Sequence, residues 1–224
     1  MRPLDTAYMW DLVPVIAGYV PLTLFMAVVA MVAALTLGSA LAIVRVLRVP
    51  VLDRVVAVFI SFFRGTPLLV QLFLFYFGLP QVFPAMTGID GVTAAIIGLT
   101  LHFSAYMAES IRGAILGVDR SQWEAAQSVG MTRGQLLRRI ILPQAARTAA
   151  PTLMNYFIDM IKSTSLAFTL GVTEMMGAAQ KEAAGSFLYL EAFLVVALSY
   201  WVIVETLSVG QRRLELSLGK AVAR

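Results

Sequence analysis

SQWEAAQSVGMTRGQLLRRIILPQA, residues 121–145, is a polar, arginine-bearing island in a chain otherwise made of apolar runs. Its local signals predict two short helices. Ser121 followed by Glu124 has the spacing of a capping box, in which each side chain bonds the other residue's backbone amide. Thr132 followed by Gln135 repeats that spacing. Gly130 between them suits a left-handed helix end, and Pro143 falls near the start of the next segment. One reading makes the island a stabilised connecting loop. The other makes it a rigid helical knob held outside a membrane for a partner to grip.

The surrounding composition sets the class. Of 224 residues, 59% are hydrophobic and 13% charged, where a soluble domain carries about a quarter charged residues. Long apolar runs predict an all-α integral membrane protein, and spans of about 20 residues leave room for five. We place them near 20–44, 55–77, 93–114, 149–171 and 190–209, as a single transmembrane domain over 1–224. Cysteine is absent, which excludes disulfides, a thiol nucleophile and cysteine metal sites. The opening MRPLDTAYMWDL has one basic residue and two acids before the apolar run, unlike a signal peptide. The first span is therefore expected to stay in place.

Local features shape each span. Gly18, Pro21 and Thr23 open the first, and Gly38, Ser39 and Ala40 offer it a small-residue face for close packing. Pro67 predicts a kink or local unwinding in the second. A loop is expected from Glu174 to Gly185 after the fourth span. Of 17 basic residues, Arg45, Arg48 and Arg54 follow the first span. Arg112, Arg120, Arg133, Arg138, Arg139 and Arg147 surround the island, and Arg212, Arg213, Lys220 and Arg224 follow the last span. Only Arg2 and Lys181 lie on the other side. The positive-inside rule then puts the N-terminus outside, and the island and C-terminus in the cytoplasm.

Ionisable groups inside hydrocarbon are costly and seldom incidental. Arg64 and Thr66 fall in the second span. His102, Tyr106 and Glu109 share one face of the third, and Asp159, Lys162 and Ser163 fall in the fourth. Asp159 and Lys162 are three apart and can pair on one helix face. Two readings stand: the charges neutralise one another and fix packing, or they line a polar cavity for a charged or zwitterionic solute. One histidine and no cysteine make a metal site improbable.

These motifs resemble a known family. Glu124-Ala125-Ala126, Gly130, Leu142 and Pro143 match the EAA loop of bacterial ABC importer permeases, which docks in a cleft of the cytoplasmic ATPase. The runs Arg64-Gly65-Thr66-Pro67, Ala105-Tyr106-Met107-Ala108-Glu109 and Lys162-Ser163-Thr164-Ser165-Leu166 look like its polar amino acid branch. The resemblance implies a five-span subunit in the bacterial cytoplasmic membrane, paired with an identical or homologous permease. It further implies two ATPase subunits below and an extracytoplasmic solute-binding protein above. Asp159 departs from the branch, where a neutral or apolar residue is common. A related solute such as an opine, or an ion-coupled secondary carrier, remains the alternative.

No cofactor is expected in the chain itself, with ATP bound by a partner. The nearest approach to a phosphate loop, Gly219-Lys220, has Leu214 in place of the first glycine and Ala221 in place of the hydroxyl residue. The run AAQSVGMTRGQLLRRI also looks like a DNA-binding helix-turn-helix. Spans on both sides tether it to the membrane, and no nucleic-acid partner is expected.

Overall fold

The computed structural model describes residues 3–222, with side chains described through 213. Arg2 and Arg224 lie outside the described residues, as do the side chains of Leu214, Lys220 and Ala221. Every regular element described is helical. In chain order these are α1 (Thr6–Ala17), α2 (Val20–Leu47), α3 (Leu52–Gly65), α4 (Leu68–Phe73), α5 (Leu79–Val82), α6 (Gly91–Leu116), α7 (Arg120–Ser128), α8 (Arg133–Leu136), α9 (Leu142–Ser163), α10 (Met175–Ser186) and α11 (Tyr189–Val222).

Among the described residues, three helices are long and apolar enough to cross a membrane: α2, α6 and the Tyr189–Arg213 part of α11. There are four if α3 and the run Leu68–Val82 form one broken span. The expected second span is thus interrupted where Pro67 stands. A proline's ring drives the preceding residue out of the helical region, and Thr66 is extended at φ −121, ψ 146. Its hydroxyl donates to the Phe62 carbonyl at 2.8 Å, serving one of the acceptors a helix end leaves over. The expected fourth span is also redrawn. α9 starts at Leu142 rather than near 149, runs through Pro151, and gives way to a 3-10 segment over Thr164–Leu170. Gln144, Arg147, Asn155, Asp159 and Lys162 make it too polar to stand with the three apolar helices.

The chain divides into two compact units. The first gathers α1 with α2 as far as Val32, then Pro67–Thr100 and Phe157–Gly210. One of its cores packs Leu12 and Ile16 of α1 against Met175, Ala178, Ala179 and Ala183 of α10 and Val195 and Val196 of α11. Another joins Met26, Leu72, Ala94, Ala95 and Leu170. Here the expected Glu174–Gly185 loop is the helix α10. Its alanines and methionines favour helix, and Glu174 caps it by accepting the Gly177 amide at 2.9 Å. Glu174 is fully buried.

The second unit gathers Ala33–Thr66, Leu101–Tyr156 and the chain from Gln211 onward. In it α2 approaches α6 closely at Gly38, where an added Cβ would stand 2.9 Å from the Ser104 carbonyl and 3.0 Å from the Met107 Cβ. The packed face is Ala34, Gly38 and Ala42, all buried at helical spacing. Of the three consecutive small residues singled out from sequence, only Gly38 lies on it, and Ala40 is exposed. Consecutive residues in a helix point about 100° apart, so such a run cannot form one face.

Candidate functional site

The island belongs to the second unit, where it has its own core. Ala126, Leu136, Ile141, Ala145 and Ala149 are buried with Ala114 and Ile115 of α6. Trp123, Met131 and Ile140 pack against them. α7 starts two residues earlier than the Ser121 signal predicts. Asp119, not Ser121, is its N-cap, with the carboxylate accepting the Ser121 amide at 2.8 Å. That amide and the Ser121 hydroxyl hold the Asp119 carboxyl below its ordinary pKa. The Ser121–Glu124 capping box does not form. With Arg120 inside the helix, Glu124 lies one turn on and pairs with it at 3.1 Å.

The rest of the island follows its local signals. Gly130 adopts φ +77. The Gly130 amide donates to Gln127, and the Met131 amide reaches back to Ala126 at 3.1 Å, closing the helix as a glycine cap does. The Thr132–Gln135 capping box forms in both directions, at 3.0 and 3.3 Å. α8 then widens into a π turn over Leu137–Ile141 before α9. The Leu142 amide donates five residues back to Leu137, and Pro143 has no amide to offer Arg139.

The candidate contact residues separate into two groups. Glu124, Ala125, Gly130 and Pro143 are exposed. Ala126 is buried and Leu142 half-buried, so these two hold the knob to its core rather than present it.

The second unit also carries most of the polar candidates within the apolar helices. The Arg64 guanidinium stands 5.5 Å from the Tyr106 ring centroid, and the Tyr106 hydroxyl donates to the Arg64 carbonyl at 3.4 Å. The rings of His102 and Tyr106 are 5.1 Å apart. Glu109 is paired with Arg112 at 2.7 Å, with both side chains less than a third exposed. Tyr156 is a member that sequence reasoning missed. Its ring is 6.1 Å from that of Tyr106, and its hydroxyl shares a 2.9 Å hydrogen bond with Ser110. It carries no charge and no motif, so only the packing of α9 on α6 reveals it.

Asp159, Lys162 and Ser163 belong to the first unit. Asp159 and Lys162 form the predicted pair at 2.6 Å, each about half exposed. Ser163 and Thr66 turn their hydroxyls back on their own helices, to the Asp159 and Phe62 carbonyls. The first unit also holds a buried polar knot invisible in the sequence. Glu174 accepts from the hydroxyls of Tyr200 at 2.8 Å and Thr23 at 3.4 Å, beside its own capping bond.

Comparison with known proteins agrees with this architecture. Residues 34–220 match the family described as binding-protein-dependent transport system inner membrane component. The Vibrio harveyi protein named probable amino-acid ABC transporter permease PatM is 60% identical, over 98% of this chain and 99% of that protein. The Bacillus subtilis (strain 168) protein named probable amino-acid permease YxeN is 48% identical, over 98% of each. Among solved structures, an amino acid ABC transporter with histidines superposes with a TM-score of 0.89 at 31% identity. It covers 96% of this chain and 100% of that one.

Proposed function

The chain belongs to the binding-protein-dependent transport system inner membrane component family, and we propose that it is the permease that carries a polar amino acid across the bacterial inner membrane. As a permease subunit it has no ATPase site of its own. In this reading five segments span the bilayer, with the N-terminus outside and the island in the cytoplasm. A second permease, identical or homologous, completes the pathway. Two ATPase subunits grip the islands, and an extracytoplasmic binding protein delivers the solute.

The observation that carries the reading is the build of the island. A short helix with an exposed Glu124-Ala125 face is fixed at one end by Gly130 and anchored by its own buried core. A knob held this way transmits displacement to α6 and α9, which flank it in sequence, without deforming. ATP binding would close the ATPases on one another, move both islands and rock the spans between outward-facing and inward-facing states.

Arg64, Thr66, His102, Tyr106, Glu109, Asp159, Lys162 and Ser163 are the residues we assign to solute passage. Ammonium and carboxylate groups of an amino acid suit a pathway carrying both signs of charge. The relatives named for amino-acid transport support that solute class.

The test is reconstitution of this chain with its ATPase and binding protein in liposomes loaded with ATP. Labelled amino acids should accumulate only when all components and ATP are present. Uptake by the chain alone on an ion gradient would overturn the proposal in favour of a secondary carrier. Uptake of opines but of no amino acid would overturn the solute assignment.

A further inference from the structure

Beside the island, a cleft of about 520 Å³ opens between the ends of α2 and α6 and the helices α7 and α8, all within the second unit. Arg48, Arg120 and Arg133 line it together with Trp123. Leu47 and Leu116, about half exposed, form part of its apolar wall where α2 and α6 end. We propose that this cleft binds the phosphate headgroup of an anionic phospholipid of the leaflet that meets the island.

Charge is the first reason. Glu124 offsets Arg120, and no acid is among the residues lining the cleft. Among the described residues, neither Arg48 nor Arg133 has an ion-pair partner. Two cationic groups therefore face one concavity uncompensated, an arrangement that favours an anion.

The second reason is backbone geometry. Arg48 follows the last residue of α2 at φ +50, and Val51 stands at φ +68. Non-glycine residues rarely adopt this left-handed region, and its strain is retained where the surroundings enforce it. Here the Arg45–Asp53 ion pair, at 2.7 Å, clamps the loop, and Arg45 also bonds the Asp53 carbonyl. The clamp holds the loop that brings Arg48 into the cleft.

The third reason is the pairing of these arginines with an apolar wall. A free phosphate would leave Leu47 and Leu116 unused. A phospholipid satisfies both, with its phosphate on the arginines and its chains along α2 and α6, each long and apolar enough to cross the membrane. Basic pockets between helices at the cytoplasmic surface suit anionic headgroups in this way, and a half-buried tryptophan suits the interface. Placement in the cytoplasmic leaflet rests on the orientation proposed above. Occupancy would then sit against α7 and α8 of the island, where lipid charge can tune them.

The test uses the full chain in detergent, carrying Trp10→Phe and Trp201→Phe so that Trp123 is the sole tryptophan. Short-chain phosphatidylglycerol should change Trp123 emission saturably, at a concentration at least about tenfold below that needed for phosphatidylcholine. Arg48→Gln and Arg133→Gln should each weaken the response about fivefold, the scale of one basic group at a lipid surface. Arg138→Gln, a charge outside the cleft, should leave it unchanged. Thermal unfolding of every variant separates misfolding from lost binding.

Equal responses to the two lipids would overturn the proposal, as would equal losses in all three arginine variants. Saturation by inorganic phosphate at the same concentration would make this a free-anion site instead. Loss of the lipid response on adding the ATPase, at every lipid concentration, would make it a protein-docking surface. The measurement needs no ATP, solute or membrane orientation. Failure of uptake in the reconstituted system would therefore sink the transport reading and leave this one standing.

Discussion

The Tyr200 hydroxyl donates to the Glu174 carboxylate at 2.8 Å, inside a unit where Glu174 is fully buried. Three elements meet there, since Thr23 comes from α2, Glu174 caps α10 and Tyr200 lies on α11. Removing a donor from a buried acceptor costs about 1–3 kcal/mol. Tyr200→Phe should lower the thermal stability of the purified chain by that order. Thr23→Val breaks two longer bonds, the one it donates to Glu174 and the one it accepts from the Met175 amide, each 3.4 Å, and should lower it less. The reverse ranking in a detergent melting series would show that the knot does not hold α10.

Gly130 stands at φ +77 with open space where a Cβ would point. Its requirement is therefore conformational and not steric. Gly130→Ala should cost about 1–2 kcal/mol from the left-handed backbone, and Gly130→Asn less, because asparagine tolerates that region. Gly130→Asp should leave the protein in the membrane while uncoupling ATP hydrolysis from uptake. Parallel assays of ATPase activity and transport in reconstituted vesicles check both points. Normal uptake by Gly130→Asp would refute the role given to the turn.

At Gly38 the reasoning runs the other way. Its φ is ordinary, but an added methyl would meet the Ser104 carbonyl at 2.9 Å. Overpacking of this kind costs about 1–3 kcal/mol. Gly38→Ala should destabilise the chain and alter uptake, whereas Ala40→Val, on an exposed position two residues on, should do neither. Differential scanning of the two variants in the same detergent gives the comparison.

Asp119 makes a prediction about pH. Hydrogen bonds from Ser121 depress its folded-state pKa, with the backbone amide first and the hydroxyl second. A depressed carboxylate contributes stability that is fully present above its unfolded value. That contribution fades as pH falls from about 4 through the folded value. Amide exchange at the start of α7 should therefore quicken over that window. Asp119→Asn should retain a cap while flattening the dependence, and Ser121→Ala should fray α7 less than Asp119→Ala. If Ser121→Ala proved the more damaging change, the cap would belong to Ser121 after all.

The features legible in the sequence share a range of a few residues. Pro67 interrupts its helix, Gly130 turns the island, Thr132 and Gln135 cap each other, and Asp159 meets Lys162 one turn away. At short range the structure departs from the local pattern where two adequate signals compete. Asp119 displaced Ser121 as cap because an ionised carboxylate accepts amides strongly at a helix N-terminus, and that shift by itself turned Glu124 from a capping partner into an ion-pair partner of Arg120.

Sequence alone determined that this is a helical membrane chain and where its polar island falls. Apolar run length, charge placement and backbone dihedrals are properties of near neighbours. Tertiary structure alone decided what is buried and what meets what. It chose Gly38 over Ala40 for close approach, brought Tyr156 to Ser110, and enclosed Glu174 with a threonine 151 residues before it. Those contacts depend on how whole helices pack, because desolvation makes a buried carboxylate require partners wherever in the chain they lie. The island of residues 121–145 draws on both, with its turn written locally and its anchorage supplied by α6 and α9.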